Sequence, residues 1–171
     1  GPISLNYAFA LSNVENDKSG ESWSEGLTTQ ELHSLQRSSQ YQRIGIETMF
    51  PVYSTLFLKP TMQYTKRKAE GDATSYDDYN FQLGFLVFSG RHHSITTLNI
   101  GTTLYQQNNP LFNMKQDSVN SGIFSIYSYA QAFNYPTLTF TLMASYNQKD
   151  SEIKFHDENS LFVSTGFAYT F

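Results

Sequence analysis

The 171-residue sequence contains no cysteine and few charged residues. It therefore has no disulfides, no thiolate metal ligands and no cysteine nucleophile. Charged residues make up 15% of the chain, well below the roughly 25% of a typical soluble domain. The longest uncharged stretch, residues 118–148, is rich in Ser, Thr, Asn, Gln and Tyr and contains Pro136, which excludes a transmembrane helix there. The net charge of −4 argues against a nucleic-acid partner.

The chain is short enough for one domain. Gly1 and Pro2 are typical of the remnant that a tag-removing protease leaves. The predicted domain is therefore residues 3–171.

The last stretch of the chain alternates strictly between two kinds of side chain. One face carries Leu161, Val163, Thr165, Phe167, Tyr169 and Phe171, and the other carries Phe162, Ser164, Gly166, Ala168 and Thr170. A period of two indicates a β-strand with two different environments. The second face carries no charge, unlike that of a half-buried strand in a soluble protein.

Seven earlier segments alternate in the same way and predict seven further strands, near residues 3–12, 40–50, 56–65, 79–88, 96–105, 124–133 and 138–147. In the sixth of these eight strands we place Phe124, Ile126 and Ser128 on the apolar side. Pro60 removes a ladder donor and predicts an edge position or a bulge. Residues 13–38 are predicted to form a long polar loop in which Leu27 to Leu35 could form a helical turn or two.

The charges separate the two faces of the predicted strands. All but one of the 15 acids fall in the long connections or beside them, and the charges inside strands are Arg43, Glu47 and Lys59, all opposite the apolar face. A charge facing lipid at the membrane midplane costs about 2–4 kcal/mol. The pattern thus favours a lipid-facing surface over a water-soluble lipocalin-like barrel, which would be polar outside and apolar inside.

The terminal strand, with its final Phe171, resembles the closing strand of bacterial outer-membrane β-barrels, and the whole chain is similar in size to the transmembrane domain of OmpA and to the OmpX and Ail group. The resemblance implies an all-β, eight-stranded antiparallel transmembrane up-and-down barrel in the bacterial outer membrane. It further implies four long extracellular loops, three short periplasmic turns and two periplasmic termini. The barrel-assembly machinery would then read an assembly signal at Phe167, Tyr169 and Phe171.

Arg43, Glu47 and Lys59 are predicted to share the lumen of such a barrel, which is just wide enough for side chains to fill it. They form either a structural cluster of ion pairs or a gated path for protons or ions. A polar plug is predicted around them, made of Thr61, Gln63, Asn80, Gln82, Thr97, Asn99, Thr139 and Thr141.

The predicted loops supply the candidate binding residues. Lys66, Arg67 and Lys68 form a basic triad that could contact lipopolysaccharide phosphates, and Trp23 could be a contact residue or an anchor in the first loop. His92 and His93 are adjacent, so in a strand they point to opposite faces and cannot chelate one ion. We predict no metal site, no cofactor and no enzymatic activity.

Three functions remain open from the sequence. The first is a membrane anchor or surface-interaction protein, whose loops would bind a host or surface ligand above outer-membrane lipid and lipopolysaccharide. The second is the anchoring or translocating C-terminal barrel of a longer protein with a periplasmic part. The third is a narrow gated channel.

Overall fold

The computed structural model describes residues 2–14 and 26–170, and within them the chain forms one antiparallel sheet of nine strands and a single short α-helix. The elements are β1 (Ile3–Ser12), α1 (Thr29–Ser34), β2 (Ser39–Thr48), β3 (Phe50–Tyr53), β4 (Leu56–Ala69), β5 (Tyr76–Ser89), β6 (His92–Tyr105), β7 (Ser118–Ala130), β8 (Leu138–Ser151) and β9 (Glu158–Tyr169).

The sheet is a meander in which each long strand pairs with its neighbours in sequence, in the order β1-β2-β4-β5-β6-β7-β8-β9. These eight strands correspond to the eight predicted ones. The ninth, β3, pairs with β4 beside this path and comes from a segment that the sequence predicts as a tight connection. No pairing joins β1 to β9 in the described part of the chain, so the sheet is open where the prediction has a closed barrel.

Pro60 does not produce the predicted bulge between β4 and β5, because Pro60 pairs with Leu83 in an unbroken register. On the other side of β4, the β2 ladder ends at the Glu47–Thr61 pair and the β3 ladder begins at Phe50–Leu58. Pro60 lies at this junction. The missing N–H of Pro60 therefore falls where β4 changes its pairing partner from β2 to β3.

The registers bring the apolar positions of the long strands to one common face, and the other face is polar at its centre. A row of cross-strand partners crosses the whole sheet and consists of Leu5, Ile46, Met62, Phe81, Ile100, Ser121, Gln148 and Asn159. The predicted faces agree with this register in every long strand except β7. There Ile123 pairs with Leu98 and Tyr127 with Ser94, so Phe124 and Ile126 lie on the polar face and their predicted side is wrong.

The prediction of four long loops is also wrong. Two connections are long, residues 13–38 and 106–117, whereas residues 70–75 and 152–157 form compact six-residue loops. The difference arises because β4 and β8 extend through residues predicted to be loop. Lys66 pairs with Asp77 and Lys149 with Glu158 in register there, so the backbone ladders continue through residues with loop-like charge.

The helix α1 begins with a reciprocal capping box. The Thr28 hydroxyl accepts from the Glu31 N–H at 3.3 Å, and the Glu31 carboxylate accepts from the Thr28 N–H at 2.7 Å. The latter bond lowers the pKa of Glu31. The segment after α1 then packs on the β4–β5 loop, where the Glu70 N–H donates to the Ser38 carbonyl at 2.9 Å.

Gly71 allows this contact, because a Cβ at that position would collide with the Ser34 carbonyl and lie 2.7 Å from the Gln36 nitrogen. We expect Gly71→Ala to lower the free energy of unfolding by about 1–3 kcal/mol. Gly45→Ala is the control, because its Cβ would have only an ordinary 3.6 Å contact with the Met62 carbonyl. Thermal unfolding followed by circular dichroism measures both, and equal midpoints for the two variants would contradict the prediction.

Candidate functional site

The apolar face of the sheet is exposed along its whole width. Its exposed large side chains are Ile3, Leu5, Tyr7, Phe9, Leu11, Ile44, Ile46, Met62, Tyr79, Phe81, Leu98, Ile100, Leu104, Val119, Ile123, Leu142, Tyr146, Leu161, Val163, Phe167 and Tyr169. The charged side chains of this face within the described strands are Lys66, Lys68, Asp77 and Asp150, all near the ends of the strands that join the longer loops. Between these residues and the turn end of the sheet, the described strands carry no Asp, Glu, Lys or Arg on this face.

The extent of this exposure is unusual for a water-soluble monomer. The chain leaves 11405 Å² accessible to solvent, whereas a compact protein of 19.5 kDa leaves about 8,500 Å². Contiguous exposed apolar patches on soluble proteins rarely exceed a few hundred Å². An exposed apolar face of this extent is typical of a surface that contacts an apolar partner.

Aromatic side chains lie at both borders of the apolar face. At the loop end, the rings of Tyr64 and Tyr79 lie 5.1 Å apart and the Tyr64 hydroxyl donates to Asp77 Oδ1 at 2.5 Å. At the turn end, His92 stacks on Tyr129 with ring centroids 4.8 Å apart. The sheet thus has an aromatic border on each side of an apolar band.

The opposite face is polar at its centre and crowded. Gly101 lies among Asn80 and Asn120, so that a Cβ there would lie 2.9 Å from one amide nitrogen and 2.7 Å from the other side chain's oxygen. Gly122 is covered in the same way by Asn99 and Asn147. The predicted plug residues all lie on this polar face. Toward the turn end the same face becomes apolar, a change that the alternation of the sequence does not predict. The apolar residues there are Phe57, Leu86, Phe88, Ile95, Phe124, Ile126 and Met143.

The structure divides the predicted charge cluster. Lys59 Nζ lies 2.9 Å from Glu47 Oε2, with side chains 40% and 31% exposed. Arg43 is four residues from Glu47 on β2, roughly 13 Å along the strand. It instead lines a cavity of about 280 Å³ with Thr65, Asp78 and Lys149.

This cavity shows that the sheet curls toward its polar face. Arg43 lies on β2 and Lys149 on β8, which are five strand spacings apart and would be separated by about 24 Å in a flat sheet. Both side chains nevertheless line one cavity of about 280 Å³. The polar face is therefore concave and the apolar face convex.

The predicted basic triad is divided between the two faces. Lys66 and Lys68 are exposed on the apolar side of β4, above Tyr64. Arg67 lies on the polar side, where Nε donates to Ser39 Oγ at 3.1 Å and the guanidinium lies 5.5 Å from the Tyr41 ring centroid. The alternation of a strand separates them, so Arg67 cannot contact a ligand together with the two lysines.

The compact β8–β9 loop is held by Asp157, whose pKa is lowered because the Ser151 N–H donates to its Oδ1 at 2.7 Å and Lys154 lies beside it. Among residues 2–14 and 26–170 no group of three or more His, Asp or Glu side chains could hold a metal ion. In the same ranges no helix is long and apolar enough to cross a membrane.

Of the proposed assembly signal, Phe167 and Tyr169 are exposed on the apolar face of β9, and the Phe167 ring packs 5.3 Å from that of Phe140. Phe171 and Trp23 lie outside the described residues.

A comparison with protein families finds a match over residues 1–170 to the family described as "Protein of unknown function (DUF2860)". No curated protein and no solved structure matches the chain.

The division of the charge cluster predicts which side chains are coupled energetically. We expect a double-mutant cycle with Glu47→Gln and Lys59→Met to give a coupling free energy of about 0.2–1 kcal/mol, the range for partly exposed ion pairs. The matched cycle with Glu47→Gln and Arg43→Gln should give no measurable coupling, because these residues share no contact. Chemical unfolding measures both cycles, and coupling of equal size in the two would contradict the separation of Arg43.

Proposed function

The chain belongs to the DUF2860 family, and we propose that it is an integral β-barrel of the bacterial outer membrane that serves as an anchor or surface-interaction protein. The observation that carries the proposal is the convex apolar face, free of charge between two aromatic borders. A bilayer provides an apolar partner for this face.

The dimensions of the apolar band support the proposal. On β4 the band runs from Leu56 to Tyr64, which is roughly 27 Å along a strand. A strand tilted by about 40° spans roughly 21 Å of membrane in this length, close to the band of about 25 Å in transmembrane barrels. The charges of Lys66, Lys68 and Asp77 then lie in the headgroup region on the loop side.

Closure between β1 and β9 is compatible with the register of the sheet. If the two edges pair over their full length, with Ile3 opposite Tyr169, then Leu5 lies opposite Phe167. The row of cross-strand partners that begins at Leu5 reaches β9 at Asn159, whereas closure would place Leu5 opposite Phe167. The shear of the closed barrel, which is the displacement along a strand after one circuit, is therefore eight residues (167 − 159). Eight strands with a shear of eight have a tilt of about 36°, within the range of transmembrane barrels.

The function proposed for this barrel depends on its loops. The long connections and the charged strand ends would face outward toward lipopolysaccharide and a host or surface ligand, while the crowded Asn and Gly side chains of the polar face would fill the lumen. We further propose that the barrel-assembly machinery inserts the chain and reads Phe167, Tyr169 and Phe171.

Lysine substitutions on the apolar face test the membrane proposal. Leu98 and Leu104 are 43% and 44% exposed on the same strand, but Leu98 lies at the centre of the band and Leu104 at its loop end. We expect Leu98→Lys to cost about 2–4 kcal/mol in a bilayer and Leu104→Lys about 0–1 kcal/mol. Folding into lipid vesicles, followed by the mobility difference between heated and unheated samples on a denaturing gel, measures both.

A soluble protein gives a different result. There both substitutions replace an exposed leucine and should affect stability equally. Equal effects of the two lysines, or folding in water without detergent or lipid, would refute the membrane proposal.

Closure is tested by disulfide cross-linking, for which the absence of cysteine gives a clean background. We expect the pair Leu5→Cys and Phe167→Cys to cross-link after folding into vesicles, because closure at a shear of eight places them opposite each other. The control pair, Leu5→Cys and Val163→Cys, is displaced by four residues and should not cross-link. Cross-linking of neither pair would show that β1 and β9 do not pair in this register.

A further inference from the structure

We propose that the apolar face carries a specific site for a phosphate-bearing acyl lipid, with the acyl chain in a groove beside Tyr64 and Tyr79 and the phosphate at Lys66 and Lys68. This inference rests on the proposed membrane location and names one lipid position on the barrel surface.

The groove has a volume of about 620 Å³ and crosses six strands. Its side chains come from two neighbouring rows of the apolar face and include Leu5, Ile44, Ile46, Met62, Phe81 and Ile100. From Leu5 on β1 to Val119 on β7 the groove crosses five strand spacings, about 24 Å. Because the groove runs across the strands, an acyl chain along the membrane normal occupies only its part on the turn side of Tyr64 and Tyr79, where Met62 and Phe81 line it.

Tyr64 and Tyr79 line the groove on its loop side. The Tyr64 hydroxyl donates to Asp77, the one acid on this face beside the lysines. That hydrogen bond holds the carboxylate against the tyrosine. The rings therefore separate an apolar compartment on the turn side from a polar one on the loop side.

The polar compartment has an excess of positive charge. Lys66 and Lys68 follow Tyr64 at intervals of two on β4 and are exposed on the same face, opposite Gln42 and Gln40 of β2. Within the described part of the chain neither ammonium group forms an ion pair. The two ammonium groups and the amides of Gln40 and Gln42 suit a phosphate group. The one carboxylate beside them, that of Asp77, is hydrogen-bonded to the Tyr64 hydroxyl.

The two compartments together identify the occupant. An acyl chain without a phosphate would leave the lysines unused, and a free phosphate would leave the groove empty. In the proposed orientation the lysines lie in the outer leaflet. We therefore assign the site to a phosphorylated acyl glycolipid of that leaflet.

The test uses the complete chain in nanodiscs of phosphatidylcholine doped with lipid A, either bis-phosphorylated or dephosphorylated. Native mass spectrometry of the released protein counts the lipid A that it retains. The double variant Lys66→Ala/Lys68→Ala should lose roughly ten- to thirty-fold in retention of the phosphorylated form. The wild type should prefer the phosphorylated form by a similar factor.

Three further variants complete the design. Arg91→Ala removes an exposed cation at the turn end and should retain lipid A like the wild type, and Lys66→Arg/Lys68→Arg should preserve most of the preference. Met62→Trp, at the centre of the groove, should reduce retention without a change in charge.

Equal losses in Lys66→Ala/Lys68→Ala and Arg91→Ala, or no preference for the phosphorylated lipid, would refute the site while the barrel proposal stands. A protein that does not enter the nanodiscs at all would instead refute the membrane location and the site with it.

Discussion

The pleat of the β-strand is the constraint on which the rest of this structure depends. Because successive side chains point to opposite faces, a register fixed at one pair assigns the side of every residue in two strands. Leu5, Ile46 and Met62 therefore share a row with Phe81 and Ile100. Because this parity of the eight long strands carries charge only near the loop ends, its apolar side chains form a continuous surface over the rest of the sheet.

The two faces are linked through curvature. On the polar face, Gly101 and Gly122 leave room for asparagine side chains from both neighbouring strands, so that the polar layer can contract. The apolar face on the other side spreads correspondingly, and its large side chains remain exposed. The same curvature brings Arg43 and Lys149 to one cavity across the sheet.

The sequence predicts this sheet well because alternation is a local signal. It fails where the decision depends on a neighbouring strand. In β7 both parities mix apolar and hydroxyl side chains, so only the pairing of Ile123 with Leu98 assigns the faces. The strand ends are misplaced for the same reason, because Lys66 and Lys149 have loop-like character but extend ladders opposite acids.

The candidate site residues also divide into those that local alternation predicts and those that depend on a neighbouring strand. The alternation of β4 was sufficient to separate Arg67 from Lys66 and Lys68, once the strand was known to continue that far. The pairing of Glu47 with Lys59, by contrast, needed the register between β2 and β4. The same pleat also constrains the two edges of the sheet. In a bilayer the backbone groups of these edges find no water. Because β1 and β9 run antiparallel with matching parity, pairing them would satisfy both ladders and keep the apolar face on the outside.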